Sequence, residues 1–434
     1  MRIAIVGSGV AGLVAAHVLG RHHDCVLFEA DRRLGGHANT VAVDDPQVGP
    51  LAIDTGFIVH NDRNYPVISR LFDELGVRTL DTSMSFSVTD RAAGLCYRAT
   101  NIDTLFADRR NALRPAVWRM LVDVARFYRS GRRFLTGLEP AGSACSKDTT
   151  RGPLTTIGDL VADGRYSEAF VRHHLVPLGA SVWSVDPEDF LDFPAETVLR
   201  FFANHGLLGV GDRPQWRTLV GGSRTYVDEI VQRFPGVVRL GTAVTAVRRR
   251  SAAGAPDAPD GVAVEHSGMF EHFDHVVLAC HSDQALRLVA DASAGEREIL
   301  GAIRYQANSA TLHTDTSLMP PRRRAWAAWN YDRRDSDRAT LTYDLTELQH
   351  LAGGRRYLLS LNCDDLIDPA AVLDRFDYAH PVLDGGAVLA QRRVAELGEA
   401  GGNVHYCGAW LGHGFHEDGA RAALAVCERL GVRW

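Results

Sequence analysis

The run Gly7-Ser8-Gly9-Val10-Ala11-Gly12 has the residue types and spacing that cradle a diphosphate. The first glycine allows a tight turn, the second lets a pyrophosphate approach the backbone, and the third permits close packing of helix on strand. The N–H groups of Val10 and Ala11, at the start of the expected helix, would face the anion. Glu29, followed by Ala30, stands where a carboxylate accepts the ribose hydroxyls of an adenosine and repels a 2′-phosphate.

Two further groups decide which dinucleotide is meant. Arg33-Leu34-Gly35-Gly36-His37 begins four residues past the acid. Adjacent glycines there let a second stretch of backbone lie on a diphosphate and ribityl chain, and Arg33 can neutralise phosphate charge. Alone, the pair would be an ordinary turn beside a solvated arginine. Near the other end, Tyr406-Cys407-Gly408-Ala409-Trp410 and Gly412-His413-Gly414-Phe415-His416-Glu417-Asp418-Gly419 lead into a last helix. Such a helix start aims its dipole and N–H groups at an anionic centre, here the flavin N1 and O2 edge, although Asp418 could simply cap the helix. The combination favours FAD over a nicotinamide cofactor.

The elements that must hold these groups are legible in outline. Arg2–Val6 reads as a buried strand, Gly12–Leu19 as a helix and Cys25–Phe28 as a second strand, a β-α-β unit. Helices are expected at Tyr65–Leu75, Ala116–Phe134, Tyr166–Leu178 and Ala195–Asn204, with an exposed loop at Glu139–Pro153. Val237–Val247 and Val262–Glu265 alternate with period two about a turn at Ala252–Gly261 and read as a meander. Val276–Ala279 is a short strand before a helix from Gln284, and Ala339–Tyr343 and Tyr357–Leu361 are further strands. Val404–Tyr406 and Glu417–Leu430 close the pattern as strand and helix.

Composition sets the outer limits. The 434 residues, 46% hydrophobic, can bury a sizeable core in about two domains. A formal charge of −6 argues against a nucleic-acid partner. Seven scattered cysteines, without a C-x-x-C pair, fit a reducing cytosol. No apolar stretch approaches the ~18 residues needed to span a bilayer, which leaves at most a peripheral membrane contact. No H-x-x-x-H pattern or cysteine cluster supports a metal site.

Together the motifs resemble the flavin-containing amine oxidase and phytoene desaturase superfamily. One subgroup, bacterial FAD-binding oxidoreductases often encoded beside cyclopropane fatty acid synthases, is similar along essentially the whole chain. Its pattern is matched by Asp54-Thr55-Gly56-Phe57-Ile58-Val59, Leu191-Asp192-Phe193-Pro194-Ala195, Arg213-Pro214-Gln215-Trp216-Arg217, Gly221-Gly222-Ser223-Arg224 and Tyr378-Ala379-His380-Pro381. The resemblance implies an α/β fold: a Rossmann-like FAD-binding domain of the glutathione reductase type with an inserted α+β substrate domain. The segments would be 1–80, 210–292 and 385–434 for FAD, and 81–209 with 293–384 for substrate. It also implies that Thr55, Gly56 and Phe57 lie by the isoalloxazine, that Val244 meets adenine through its backbone, and that Gly408 and His416 contact the flavin. Many amine oxidases of this superfamily hold a lysine near flavin N5; the one lysine here, Lys147, falls in the expected exposed loop.

The reaction expected is therefore hydride transfer from a hydrophobic small molecule to non-covalently held FAD, a dehydrogenation. Redox-neutral double-bond isomerisation, amine oxidation and a flavin-free prenyl or lipid carrier on the same fold remain alternatives. His416 and His60, which adjoin flavin motifs, are the favoured proton acceptors, with His281 and His313 behind them. Trp329 and Asn330 are candidates for one wall of a substrate channel, whereas Trp326 is expected to pack in the core.

Overall fold

A computed structural model describes residues 1–138, 154–209, 211, 213–250, 261–334, 339–399 and 402–434. The expected loop Glu139–Pro153 with Lys147, and the turn Ala252–Gly261 except for Gly261, lie outside the described residues. A five-stranded parallel sheet carries the first motif, in the order Val237–Arg239, Asp24–Phe28, Arg2–Val6, His275–Leu278, Val404–Tyr406. Ile3, Ala4 and Ile5 are fully buried because a central parallel strand is covered on both faces. The helix Val10–Leu19 is buried on every side, which explains its lack of a polar stripe. Its outer cover is the helix His416–Arg429, and a Cβ at Gly419 would stand 2.8 Å from Val10 Cγ1.

A separate seven-stranded sheet runs in the order Val372–Val382, Arg304–His313, Leu358–Leu361, Ala339–Asp344, Trp329–Arg333, Phe86–Asp90, Leu95–Arg98. It is antiparallel except where Trp329–Arg333 pairs with Phe86–Asp90. A helical layer, including Pro115–Leu138 and Ala195–Asn204, packs around an aromatic core of Phe127, Phe170, Trp183, Phe190, Phe193 and Phe202.

The structure differs from the expected elements in three places. The alternating run Val237–Val247 is not one strand: Val237–Arg239 joins the parallel sheet, whereas Val244–Arg250 forms the meander with Gly261–His266 and Met269–Phe273. Period two is the same in both settings, so alternation could not separate them. Tyr166–Leu178 is helical from Glu168 onward, but its middle, Val171–Leu175, widens into a π-helical turn between Glu168–Phe170 and Val176–Trp183. The helix Ala294–Gly301, expected with the substrate segments, buries Ile299 and Leu300 in one core with Val276 and Leu278 of the parallel sheet. Its apolar face completes that sheet's cover.

Candidate active site

At the first loop, Gly7 adopts φ +98°, and a Cβ at Gly12 would fall 1.8 Å from the Gly7 carbonyl oxygen. Only glycine fits either place. Gly9 is the opposite case, since a Cβ there would meet nothing within 4 Å. Open space thus faces the N-terminus of Val10–Leu19, which has no side-chain cap and no acid in its first turn. Glu29 leans over this loop, its Oε2 accepting the N–H of Ser8 at 2.8 Å and the Ser8 hydroxyl, its Oε1 the N–H of Asp31 at 2.9 Å. Of roughly four lone-pair sites on a carboxylate, about one is left for a ribose hydroxyl rather than the expected pair.

The glycine pair seats directly on this loop. Gly35 donates its N–H to the Ser8 carbonyl at 3.1 Å, and a Cβ on Gly36 would come within 3.1 Å of Gly9 Cα. Arg33 Nη1 and His37 Nε2 are buried without a hydrogen-bond partner. An open glycine loop, an uncapped helix and an unmatched guanidinium N–H are what a diphosphate would satisfy. The residues present fit FAD.

Beyond the pair, the chain turns back through Asp54-Thr55-Gly56-Phe57. Phe57 donates its N–H to the His37 carbonyl at 2.8 Å, and a Cβ at Gly56 would stand 2.1 Å from that same oxygen. Asp54, fully buried, accepts from the Ser223 N–H and hydroxyl, both at 2.8 Å, from the Thr40 hydroxyl and from Gln349 Nε2 at 3.1 Å. It fastens the Gly221-Gly222-Ser223 motif to the Asp54-Thr55-Gly56-Phe57 segment. Burial raises its carboxyl to about 6 against the pull of these donors.

The two favoured proton acceptors both sit in aromatic packing. His416 lies on Phe57, ring centroids 3.7 Å apart and planes 12° from parallel, with Nε2 3.3 Å from the Tyr226 hydroxyl. Burial, reinforced by nearby His60, lowers its pKa to about 3. His60 is 1% exposed, edge-on to Phe72 at 5.1 Å, and burial lowers it to about 4. A basic imidazole needs a solvated or acid-paired setting, and an aromatic core supplies neither. Asn330 is buried and hydrogen-bonded: it accepts from Ala327 N–H and the Ser87 hydroxyl and donates to the carbonyls of Ala327 and Thr342. His313 is held by Ser360 and Asp315. Trp329 stays partly exposed at the start of its strand, edge-on to Tyr343 at 5.3 Å.

At the C-terminal motif, a Cβ on Gly408 would strike the Trp410 ring at 2.6 Å, and Trp410 donates its indole N–H to the Cys280 carbonyl at 3.2 Å. Asp418 caps its own helix by accepting the Phe415 N–H at 2.9 Å, while Glu417 accepts the N–H groups of Val67 and Ile68, both at 3.1 Å. Glu417 thereby caps the helix Pro66–Leu75. Val244 opens the meander at a bulge, paired with His266, and Ala30 is exposed beside Glu29.

Sequence reasoning missed a group at the seam of the two sheets. His37 stacks on Tyr378 at 4.9 Å and lies 5.4 Å from His380 and 6.3 Å from His281, which stacks on Tyr305. The Tyr378 hydroxyl meets Thr55 at 2.9 Å and Asn39 at 3.1 Å. Burial and the neighbouring His380 and His281 hold His37 well below the usual histidine range. Tyr378 and His380 belong to the Tyr378-Ala379-His380-Pro381 motif, a signal left unused.

A parallel β-α-β sheet bearing this cradle, with a second sheet closing over it, defines a flavoprotein oxidoreductase of the two-domain type. A model of the flavin-containing amine oxidoreductases matches residues 10–339. The chain belongs to that family, and FAD is its cofactor. A flavin-dependent L-tryptophan oxidase of Lentzea aerocolonigenes is 27% identical over 314 residues, 66% of this chain but 57% of that protein. The chain thus spans little more than half the length of this curated relative. Among solved structures, putrescine oxidase bound to putrescine superposes with a TM-score of 0.68 at 14% identity, covering 99% of both chains. A fatty acid isomerase from P. acnes gives 0.67 at 15% identity over 99% of this chain and 98% of its own.

Proposed function

We propose that this FAD-dependent oxidoreductase removes a hydride from a hydrophobic, lipid-derived small molecule and so dehydrogenates a carbon–carbon bond. When bound, FAD supplies the hydride acceptor at its N5. In this reading residues 1–80, 210–292 and 385–434 hold the cofactor, together with the helix Ala294–Gly301 that joins them by packing, and the remaining segments hold the substrate. Gly7, Gly9, Val10, Ala11 and Gly12 bind the diphosphate with Arg33, Gly35, Gly36 and His37. Glu29 with Ala30 takes the ribose and the Val244 backbone the adenine. Thr55, Gly56, Phe57, Gly408 and the backbone of His416 bound the flavin ring.

The observation that carries the substrate class is an aromatic wall reaching the C-terminal motif from the other unit. Phe201 stacks on Phe415 at 4.9 Å and meets His413 at 5.8 Å, and Trp183 donates its indole N–H to the His413 carbonyl at 3.0 Å. These rings, Phe201 and Trp183 each 4% exposed, keep water from the motif and support an apolar chain. The cysteines, scattered and without a C-x-x-C pair, suit the cytosol; among the described residues no helix is long and apolar enough to cross a membrane.

Purified holoprotein, mixed anaerobically with a panel of fatty acids and of amines, tests the reading. Flavin bleaching by an apolar chain and none by amines is the expected result. Bleaching by amines alone overturns the substrate class. Many turnovers without an electron acceptor would make the reaction the isomerisation named for the P. acnes protein.

A further inference from the structure

The helix Pro115–Leu138 buries one face, with Val117, Met120 and Phe127 at 4%, 1% and 1% exposure. Its other face is a stripe at helical spacing: Pro115, Trp118, Arg119, Val122, Arg129 and Arg132 are all exposed. Trp118 is 52% and Val122 57% exposed, and the preceding turn adds Leu113 at 85% and Ile102 at 78%. Isolated apolar side chains at a surface are ordinary, but these four fall within 21 consecutive residues. Trp118 is held in place there: its indole N–H donates to the Ala112 carbonyl at 2.9 Å and its ring lies 5.6 Å from Phe106. Beside it opens a depression of about 350 Å³ lined by Leu95, Leu113, Val117 and Met120.

The charge around this patch runs against that of the whole chain. Residues 101–138 contain eight arginines and three aspartates in a protein of formal charge −6. Asp123 is buried and tied to Arg126 and Ser167, and Asp103 is engaged with Arg109. Arg129, Arg132 and Arg133, on the same outer stripe, form no ion pair among the described residues. An aromatic and aliphatic stripe set among arginines is the pattern that seats in the plane of an anionic bilayer, with the apolar groups at acyl depth and the guanidinium groups at the phosphates.

We propose that this stripe, with Ile102 and Leu113, docks the protein on an anionic membrane surface. The inference is independent of the substrate reading, since it rests on an outer face that the substrate reading does not use. The holoprotein is sedimented with vesicles of phosphatidylcholine alone or mixed equally with phosphatidylglycerol. Binding is expected only to the mixed vesicles and weakens as salt rises. Trp118→Ser with Val122→Ser should weaken it about tenfold, and Arg129→Glu with Arg132→Glu by about tenfold or more. Flavin absorbance and unfolding temperature of these surface variants verify their fold. Should the first pair unfold, Trp118→Phe serves instead: it keeps binding but removes the quenching of tryptophan emission by brominated lipid. No binding of the parent protein overturns the proposal. So does loss on arginine substitution with none on Trp118→Ser and Val122→Ser, the mark of a general polyanion site. Self-association in sedimentation velocity that disappears with Trp118→Ser and Val122→Ser also overturns it, by giving the face to a second copy.

Discussion

Replacing His416 separates packing from chemistry. Its ring covers Phe57 at 3.7 Å and its Nε2 is 3.3 Å from the hydroxyl of fully buried Tyr226. His416→Ala removes the stack and leaves a hole, a loss of about 3 kcal/mol. His416→Phe keeps the stack and strands only the Tyr226 hydroxyl, a loss of about 1 kcal/mol. Unfolding entropy near ~2.1 cal/mol/K per residue converts these to about 3 °C and about 1 °C in Tm. Neither variant should lose FAD, because the backbone N–H survives both substitutions. With a pKa lowered to about 3, the imidazole is neutral and weakly basic at neutral pH. Substrate-driven flavin bleaching in stopped flow should therefore stay within about threefold of the parent, not fall by the ~10²–10⁴ that loss of a general base brings. A hundredfold slower bleaching in His416→Phe, with FAD content and Tm retained, would refute this and make the imidazole the proton acceptor.

Gly9→Asp should give folded protein without flavin, since its side chain enters open space but puts a carboxylate at the anion site; Gly12→Ala should fail to fold, its Cβ 1.8 Å from the Gly7 oxygen. Circular dichroism and flavin absorbance distinguish the two. Asp54, raised from 3.8 to about 6, contributes stability that is full below the unfolded pKa and lost as pH rises through about 6. The stability of Asp54→Asn relative to the parent should thus rise by about 2–3 kcal/mol between pH 4 and pH 7, and parallel Tm profiles would exclude this. Asn330→Ala, which abandons four hydrogen bonds, should lower stability by about 2–4 kcal/mol with flavin content unchanged, as thermal melts and absorbance will report. Acid precipitation should release all flavin to the supernatant, since Cys407 is fully buried and burial raises its thiol; flavin in the pellet would show a covalent bond.

What the sequence disclosed was local. The turn at Gly7, the uncapped helix and the Gly35-Gly36 pair are set by backbone stereochemistry over a few residues, and their spacing announces them. Direction and distance were not legible. Whether the His416 ring faces substrate or Phe57 depends on a partner 359 positions away, and proximity to a motif does not fix a rotamer. Asp54 read as part of a motif, yet its principal partner is Ser223, 169 residues on. The histidines at 37, 281 and 380 likewise meet only because two sheets close on each other.

The strand order has a consequence for biogenesis. Ile3 has Cys25 on one side within the first turns of chain, but its other neighbour is His275, and the helix that covers Val10 begins at His416. A nascent chain on the ribosome therefore presents an unpaired strand edge and a naked apolar helix until nearly all of it has emerged. The diphosphate loop cannot acquire its rigid shape earlier, so flavin capture comes as a terminal step of folding.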